Sequence, residues 1–448
     1  MLKTLGNVIK WSVAVLLLLL VLFFILNHFD EKVHPDAEQL LQPQWVAVAP
    51  EKNAYFTLIG LTAPSGVNAA EWGIKASLTS GTPLANPPLQ GKPVCDLEEH
   101  HCLRIAKQHP EQLQKALLAQ PELIARYIAA RQLPQFAEST GKQHIDPYPN
   151  FSAAFRAQAL RHAQIALWVE AGKMDAVLIE LAEDMAFQRR CLAGAQTLIG
   201  KMVTLAALQR DYVLLADLMR EKTSEMMAQQ ARIQALLTPL APAERDMLPT
   251  IQHEFRMLSG ALRAFKYSVL REEWGQPSVW VDTFRAPLME NLLLRNASIN
   301  RLYQLEQADE ALARTLPQNF ARKQAEVHAL SMQLSEVNWR YLYNPVGKWL
   351  IDLSRMDYHR YIRRPLELDA LIRLMTLQQQ IMVLGIADAD MPEFLASHLA
   401  SLPNPFSGQA VGWDGERREL YIQTDDSPIQ YLRFGKNRQR IALPLARK

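Results

Sequence analysis

The sequence has few cysteines and no excess of either charge. It holds 3 cysteines among 448 residues, and 48 lysines and arginines stand against 46 aspartates and glutamates. Proteins that bind nucleic acid usually need a strongly basic face, so this balance argues against nucleic acid as a partner. With 49% hydrophobic and 21% charged residues, the composition is that of a packed globular protein and argues against extensive disorder.

The sequence also lacks the common catalytic and nucleotide-binding motifs. It has no glycine-rich phosphate loop and no G-x-S-x-G nucleophile turn. His253 and Glu254 begin a zinc-peptidase pattern, but position 257 is Met257 where the second histidine would be required. We therefore predict no catalytic residue, no cofactor and no resident metal from motifs.

One long hydrophobic run is present, from Trp11 to Leu26, with Ser12 as its only polar residue. Extended to residues 8–29, it would measure about 33 Å as a helix, enough for a hydrocarbon core of about 30 Å. The run predicts a single transmembrane helix that contacts the lipid bilayer through residues 8–29. Lys3 and Lys10 precede it and Lys32 follows, which favours a cytoplasmic N-terminus at the inner membrane and a periplasmic location for the rest.

A cleaved signal peptide is the alternative for this run. Such a peptide should be followed closely by a small-x-small cleavage site. The first such pattern, Ala47–Ala49, lies about twenty residues too far downstream. We therefore favour an uncleaved anchor.

Cys95 and Cys102 form the only close cysteine pair, and Cys191 stands apart. In an oxidising compartment the pair is a candidate disulfide, whose small loop would contribute roughly 2.5 kcal/mol. A straight helix would separate the two Cα atoms by about 10.5 Å, so a bridge requires a turn between them. Free thiols remain possible, as does a metal site completed by His100 and His101, although this spacing matches no common zinc pattern. Cys191, next to two arginines, is predicted to be a buried and inert thiol.

Composition divides the chain into segments. We predict a membrane anchor over 1–32, an irregular lead-in over 33–94, a helical domain over 95–400 and a small β-rich tail over 401–448. In the lead-in, Asn53–Leu61 could form a strand or a short buried helix. Further helices are expected at about 151–171, ended by Gly172, and at about 196–210, 211–236, 242–270, 283–301, 304–335 and 366–384. The predicted fold is mainly α: a transmembrane helix, a helical-hairpin bundle or short solenoid, and a C-terminal β-meander.

The densest group of reactive side chains lies near residue 355. Asp352, His359 and Arg363 recur at helical spacing and could line a polar groove together with Asp357. Arginine-rich segments near helix ends usually form solvated ion pairs, which is the simpler interpretation.

Several short motifs resemble single-pass, membrane-anchored envelope proteins of Gram-negative bacteria that have no assigned function. These motifs are Asn53–Phe56, the Cys95 and Cys102 pair, Asn296–Asn300, Tyr343–Trp349 and Asn404–Gln409 (NPFSGQ), the last followed by Leu420 and Tyr421. The NPFSGQ motif is also similar to the D-P-F-[ST]-G-x-P-L ending of many bacterial envelope proteins, with Asn404 for aspartate and Ala410 for proline. The resemblance implies an envelope location and names no reaction.

From these observations we expect a membrane-anchored helical protein that acts as a binding or scaffold component of the cell envelope, with envelope proteins as partners. One alternative is an envelope hydrolase that uses Asp352, Asp357 and His359. Another is a component of a secretion or transport machine. The apolar run has no G-x-x-x-G pattern that would drive association within the membrane.

Overall fold

The computed structural model describes residues 2–42, 48–78, 95, 101–138, 151–265, 288–336, 338–354, 358–424 and 440–446. Within them the fold is mainly α, with an apolar N-terminal helix and a small antiparallel sheet near the C-terminus, which confirms the predicted fold class. The chain forms two compact units, each assembled from separate segments. Unit 1 is Met1–Gln44, Ile251–Arg314 and Arg322–Tyr358, and unit 2 is Trp45–Thr250, Thr315–Ala321 and His359–Lys448.

Unit 1 begins with the apolar helix, which runs from Leu2 to Leu26. The stretch Asn7–Leu26 has a mean hydropathy of 2.8 and is long and apolar enough to cross a membrane, although a signal sequence near the N-terminus would pass the same test. Its apolar side chains are largely exposed, for example Leu16 at 64%, so it is not a core helix of a soluble fold. The prediction of one long apolar helix near the N-terminus is thus confirmed, although the helix ends at Leu26 and does not continue to residue 29.

The remainder of unit 1 is a small helical bundle. Ile299, Leu302 and Tyr303 pack against Phe255 and Ile351 to form its core. A second cluster joins Leu292, Leu293 and Val346, and Phe23 of the apolar helix packs on it. The helices are Pro35–Leu40, Leu248–Ala264, Arg295–Ala313, Phe320–Ser335 and Pro345–Ser354, with a 3-10 turn at Trp339–Leu342.

Unit 2 is built on three long consecutive helices, Phe151–Glu170, Met174–Gly194 and Leu198–Glu221, with Arg364–Leu384 packed on the last of them. Gly172, at φ 69°, makes the turn between the first two, as the sequence predicts. The other helices are Ala54–Ile59, Ala69–Leu78, His101–Gln108, Pro110–Ala119, Pro121–Gln132, Thr223–Met227, Gln230–Leu236, Pro242–Arg245, His359–Ile362 and Met391–Ser397; 3-10 turns lie at Pro50–Lys52, Gly60–Thr62 and Pro317–Asn319.

The C-terminal sheet has strands β1 (Gly412–Asp414), β2 (Glu419–Gln423) and β3 (Arg440–Pro444) in the order β1-β2-β3, all antiparallel. Trp413 pairs with Leu420, and Ile422 pairs with Ile441. Leu420 and Ile422 alternate with half-buried or exposed neighbours and face the main core of unit 2. Residues 425–439 of the predicted β-rich tail lie outside the described residues.

Several predicted boundaries differ from the structure. Residues 33–94 were predicted to be irregular, but their described part contains three helices. One of them is Ala54–Ile59, at whose N-terminus the Asn53 side chain accepts a hydrogen bond from the backbone N–H of Tyr55. One helix crosses the break predicted near residue 210, and another, Arg295–Ala313, crosses the break predicted near 302. In both places burial of one helix face outweighs local sequence preferences. The predicted division of the chain into four segments, with boundaries after residues 32, 94 and 400, stays a prediction.

Candidate membrane-proximal site and a buried ionic network

The end of the apolar helix is fixed to unit 1 through Asn27, which is only 2% exposed. The Asn27 side-chain amide donates to the carbonyl oxygens of Phe23 at 2.9 Å and Leu342 at 2.8 Å. The backbone N–H of Asn344 donates a hydrogen bond to Asn27 Oδ1 at 2.8 Å. A buried side-chain amide is stable only when such partners are present, so Asn27 holds the helix end against the turn at 342–344.

Asn344 connects that turn to two further helices. Its Oδ1 accepts from the backbone amides of Leu294 at 2.9 Å and Gly347 at 3.2 Å, and its Nδ2 donates to Ser298 Oγ at 2.9 Å. Its φ of 54° is left-handed, a conformation that asparagine tolerates better than most residues. A Cβ on Gly347 would lie 2.0 Å from Ser298 Oγ, so this close packing requires glycine.

The segment that follows the apolar helix is also built into unit 1. Asp30 accepts from the backbone amides of Asn296 at 2.9 Å and Ala297 at 3.0 Å, at the N-terminus of the helix Arg295–Ala313. A carboxylate there satisfies free amides and complements the helix dipole. Asn300 donates to Glu31 Oε2 at 2.7 Å and accepts from the His34 amide at 2.8 Å. Residues 27–34 therefore form no flexible linker.

Two of the motifs on which the family resemblance rests meet at this place. Asn296–Asn300 binds the chain just after the apolar helix, and Tyr343–Trp349 contains Asn344 and Gly347. Both motifs are visible in the sequence, but their common contact is not, because Asn27 and Asp30 belong to no motif. The one signal in the sequence that could have identified Asn27 is its place as a polar residue directly after the hydrophobic run.

A cleft of about 350 Å³ opens beside this junction in unit 1. Lys348 donates from Nζ to the carbonyl oxygen of Arg340 and lies 5.7 Å from the centre of the Tyr341 ring. Burial, together with the nearby charge of Arg301, lowers the pKa of Lys348 below its ordinary value. The polar groups that line the cleft are Glu31, Asn300, Arg301, Gln304, Gln333, Glu336, Asn338, Arg340, Tyr341, Tyr343, Asn344 and Lys348.

The polar group predicted near residue 355 is divided between the units. In unit 1, Asp352 accepts from Arg301 at 3.0 Å and from Ser335 at 2.9 Å. In unit 2, Arg363 pairs with Glu367 at 3.4 Å and lies 4.7 Å from the Phe406 ring. His359 is half-buried in unit 2, and Asp357 lies outside the described residues. For Asp352 and Arg363 these contacts are structural, and a catalytic role for the set stays the alternative hypothesis to the prediction of no catalytic residue.

The cysteines and the tail motif have structural contacts in unit 2. Cys95 and Cys102 form a disulfide, with Cα atoms 5.0 Å apart, and the helix that contains Cys102 begins at His101. The residues between 95 and 101, including His100, lie outside the described residues, as does the His101 side chain. Cys191 is buried, and burial raises the pKa of its thiol well above the ordinary value.

In the tail motif, Asn404 Oδ1 accepts a hydrogen bond from the backbone N–H of Phe406 at 2.9 Å, as expected for a turn.

An ionic network that no sequence motif indicated lies inside unit 2. Arg131 is 6% exposed and donates to Glu180, to Glu183 at 2.7 Å and to Asp184 at 3.4 Å. Arg161 donates to Glu180 at 2.7 Å. The helices Pro121–Gln132, Phe151–Glu170 and Met174–Gly194 are joined by these charges, and burial at one face of each helix is what brings them together.

The network continues to His162, Asp184 and Asp211, whose potential ligand atoms lie within 4.8 Å of one another. His162 Nε2 lies 2.8 Å from Asp211 Oδ1, and Gln158 Nε2 donates to Asp184 at 3.2 Å and to Asp211 at 3.1 Å. Burial, then the charge of Asp211, raises the pKa of Asp184 to about 7, and burial lowers the pKa of His162 to about 4.

The side chains of His162, Asp184 and Asp211 are at most 2% exposed, so a substrate cannot reach them. An imidazole and two carboxylates are suitable metal ligands, but Arg131 and Gln158 already bond to these carboxylates, so we assign the cluster a structural role.

Glu306 is the most perturbed carboxyl group in the described part of unit 1. It is 4% exposed, and the carboxyl group of Glu310 lies beside it. Burial, then the charge of Glu310, raises its pKa from 4.5 to about 8. The native state thus keeps a proton that the unfolded chain releases, and stability falls as pH rises between these two values.

Glu306→Gln should therefore stabilise the protein more strongly as pH rises. Glutamine has the same shape and no proton to lose, so the difference in free energy of unfolding should be small at pH 5. At pH 8 it should reach roughly 2–4 kcal/mol. Chemical denaturation across this pH range measures the difference. Glu326→Gln, an exposed position paired with Lys323, is the control and should show no such gain. A constant difference for Glu306→Gln would contradict the prediction.

Compared with models of protein families, with curated proteins and with solved structures, the chain matches none of them. The resemblance to membrane-anchored envelope proteins therefore stays a prediction.

Proposed function

We propose that this chain is a single-pass protein of the cell envelope whose uncleaved apolar helix holds a helical domain against the membrane surface. In this proposal the N-terminus is cytoplasmic, the helix lies in the inner membrane and the remaining chain is periplasmic. There it acts as a binding or scaffold component for other envelope proteins.

One observation carries the proposal: the chain just after the apolar helix is part of the fold of unit 1. Cleavage between residues 27 and 34 would remove or disconnect Asn27 and Asp30, which hold the turn at 342–344 and the helix Arg295–Ala313. A signal peptide has no need for such contacts, because it is discarded. The cysteine pair suits an oxidising compartment, which supports the periplasmic assignment.

The proposal is tested by topology and by capture of partners. A reporter that is active only in the periplasm, fused to the C-terminus, should be active. Crosslinking in intact cells, followed by affinity capture, should retrieve a reproducible set of envelope proteins that an unrelated single-pass protein with the same tag does not retrieve. A cytoplasmic reporter, or capture that matches the control in every repeat, would contradict the proposal.

A further inference from the structure

The 3-10 turn Trp339–Leu342 places exposed apolar side chains where the apolar helix ends. Trp339 is 76% exposed and Leu342 is 54% exposed. The carbonyl oxygen of Leu342 accepts the hydrogen bond from Asn27, so this turn lies directly beside the last turn of the apolar helix. Tryptophan is favoured at membrane interfaces, where its ring reaches the apolar region and its N–H stays hydrated. If the apolar helix lies in a bilayer, as in the proposed function, that bilayer covers Trp339 and Leu342.

The cleft beside this turn contains cationic groups that are partly withdrawn from water. Arg301 is 8% exposed, and its Nε has no hydrogen-bond partner among the described residues. One of its terminal nitrogens forms an ion pair with Asp352 at 3.0 Å. Lys348 lines the same cleft, and the Tyr341 ring and the carbonyl oxygen of Arg340 that contact it carry no formal charge.

Three cationic side chains, those of Arg301, Arg340 and Lys348, line this cleft. Burial lowers the pKa of Lys348, the charge of Arg301 lowers it further, and the charges of Glu31 and Asp352 act in the opposite direction. Arg340, stacked on Trp339 at 5.5 Å, adds a third positive charge on the side of the exposed turn. Glu31 and Glu336 also line the cleft, so it offers both signs of charge. Arginine and lysine side chains bind phosphate through charge-assisted hydrogen bonds.

We propose that this cleft binds the phosphate of a phospholipid headgroup, with Arg301, Lys348 and Arg340 as its cationic partners. The inference rests on the proposed function, because it takes the apolar helix to lie in a bilayer. A cleft of about 350 Å³ can hold a headgroup but not two acyl chains. The chains would instead extend past Trp339 and Leu342 along the apolar helix, which distinguishes a lipid from a soluble phosphate compound.

The test measures binding to the full-length protein in maltoside micelles by native mass spectrometry. Three probes are compared: dihexanoyl phosphatidylglycerol, dihexanoylglycerol and inorganic phosphate. We expect saturable binding of the phospholipid and much weaker binding of the other two. Lys348→Gln should weaken phospholipid binding by at least about tenfold, since it removes a charge-assisted hydrogen bond. Arg340→Gln, at an exposed position, should weaken it several-fold without affecting folding.

Arg314→Gln is the matched control. Arg314 lies at the end of the helix that carries Arg301, is 57% exposed and pairs with Glu310 outside the cleft. Unchanged phospholipid binding in both Lys348→Gln and Arg340→Gln would overturn the inference. So would equally tight binding of inorganic phosphate, which would indicate a soluble ligand. If only the lipid-binding inference is wrong, the protein will still be found in the membrane fraction with its partners. If the proposed function is wrong, the chain will be cleaved or cytoplasmic.

Discussion

Asn344→Ala should destabilise unit 1 by about 3–5 kcal/mol and release the chain that follows the apolar helix. The substitution leaves the buried backbone amides of Leu294 and Gly347 without their acceptor, at about 1–3 kcal/mol each. It also places alanine at a left-handed φ, at a cost of about 1 kcal/mol. Chemical denaturation in a mild detergent measures the loss, and limited proteolysis within residues 27–34 reports the release.

Two control substitutions separate the causes. Asn344→Gly relieves the backbone conformation but still removes the acceptor, so it should cost about 1 kcal/mol less than Asn344→Ala. Asn338→Ala removes an exposed cap that accepts from the Arg340 amide at 2.9 Å and should cost about 1 kcal/mol. If Asn344→Ala costs no more than Asn338→Ala, Asn344 does not hold the junction.

Arg131→Met should destabilise unit 2 by about 3–5 kcal/mol at pH 8, because it leaves the buried Asp184 carboxylate without its cation, whereas Glu180 keeps its pairing with Arg161. The pKa of Asp184 is about 7, so at pH 8 this carboxyl is largely charged in the wild type. At pH 6 it can take a proton instead, and the cost should be smaller. Denaturation curves at both pH values measure the free energy of unfolding.

Arg232→Met provides the comparison for an exposed ion pair. Arg232 and Asp175 are 53% and 72% exposed, and such pairs contribute about 1 kcal/mol or less. Asp184→Asn, combined with Arg131→Met, should recover part of the loss at pH 8, since it removes one unpaired charge. If Arg131→Met and Arg232→Met lowered the free energy of unfolding equally, the buried network would not be the stabilising feature that we propose.

The parts of the fold that sequence analysis predicted depend on strong local patterns. The uninterrupted run from Trp11 to Leu26 predicts a long apolar helix, and Gly172 predicts the turn after the helix that ends at Glu170. The breaks near 210 and 302 were wrong, because the packing of a long helix face outweighs the local preferences of the residues. Asn53 could have been recognised as a cap, but the apolar residues after it suit a strand equally well.

The candidate sites were harder to predict because long-range contacts create them. Asn27 and Asn344 are 317 positions apart, and neither lies in a pattern that points to the other. Arg131 reaches Glu180 across 49 positions, within helices that look ordinary in sequence. The cluster around Asp352 was conspicuous only because its residues are close in sequence, and its members belong to different units.

The mass of the mature chain in the membrane fraction tests the central claim most directly. If the apolar helix is an anchor integrated into unit 1, intact mass spectrometry of the extracted protein should find residues 1–34 still attached to the rest of the chain. High-salt and carbonate washes should leave it in the membrane. A soluble product whose N-terminus lies beyond residue 26 would contradict the account.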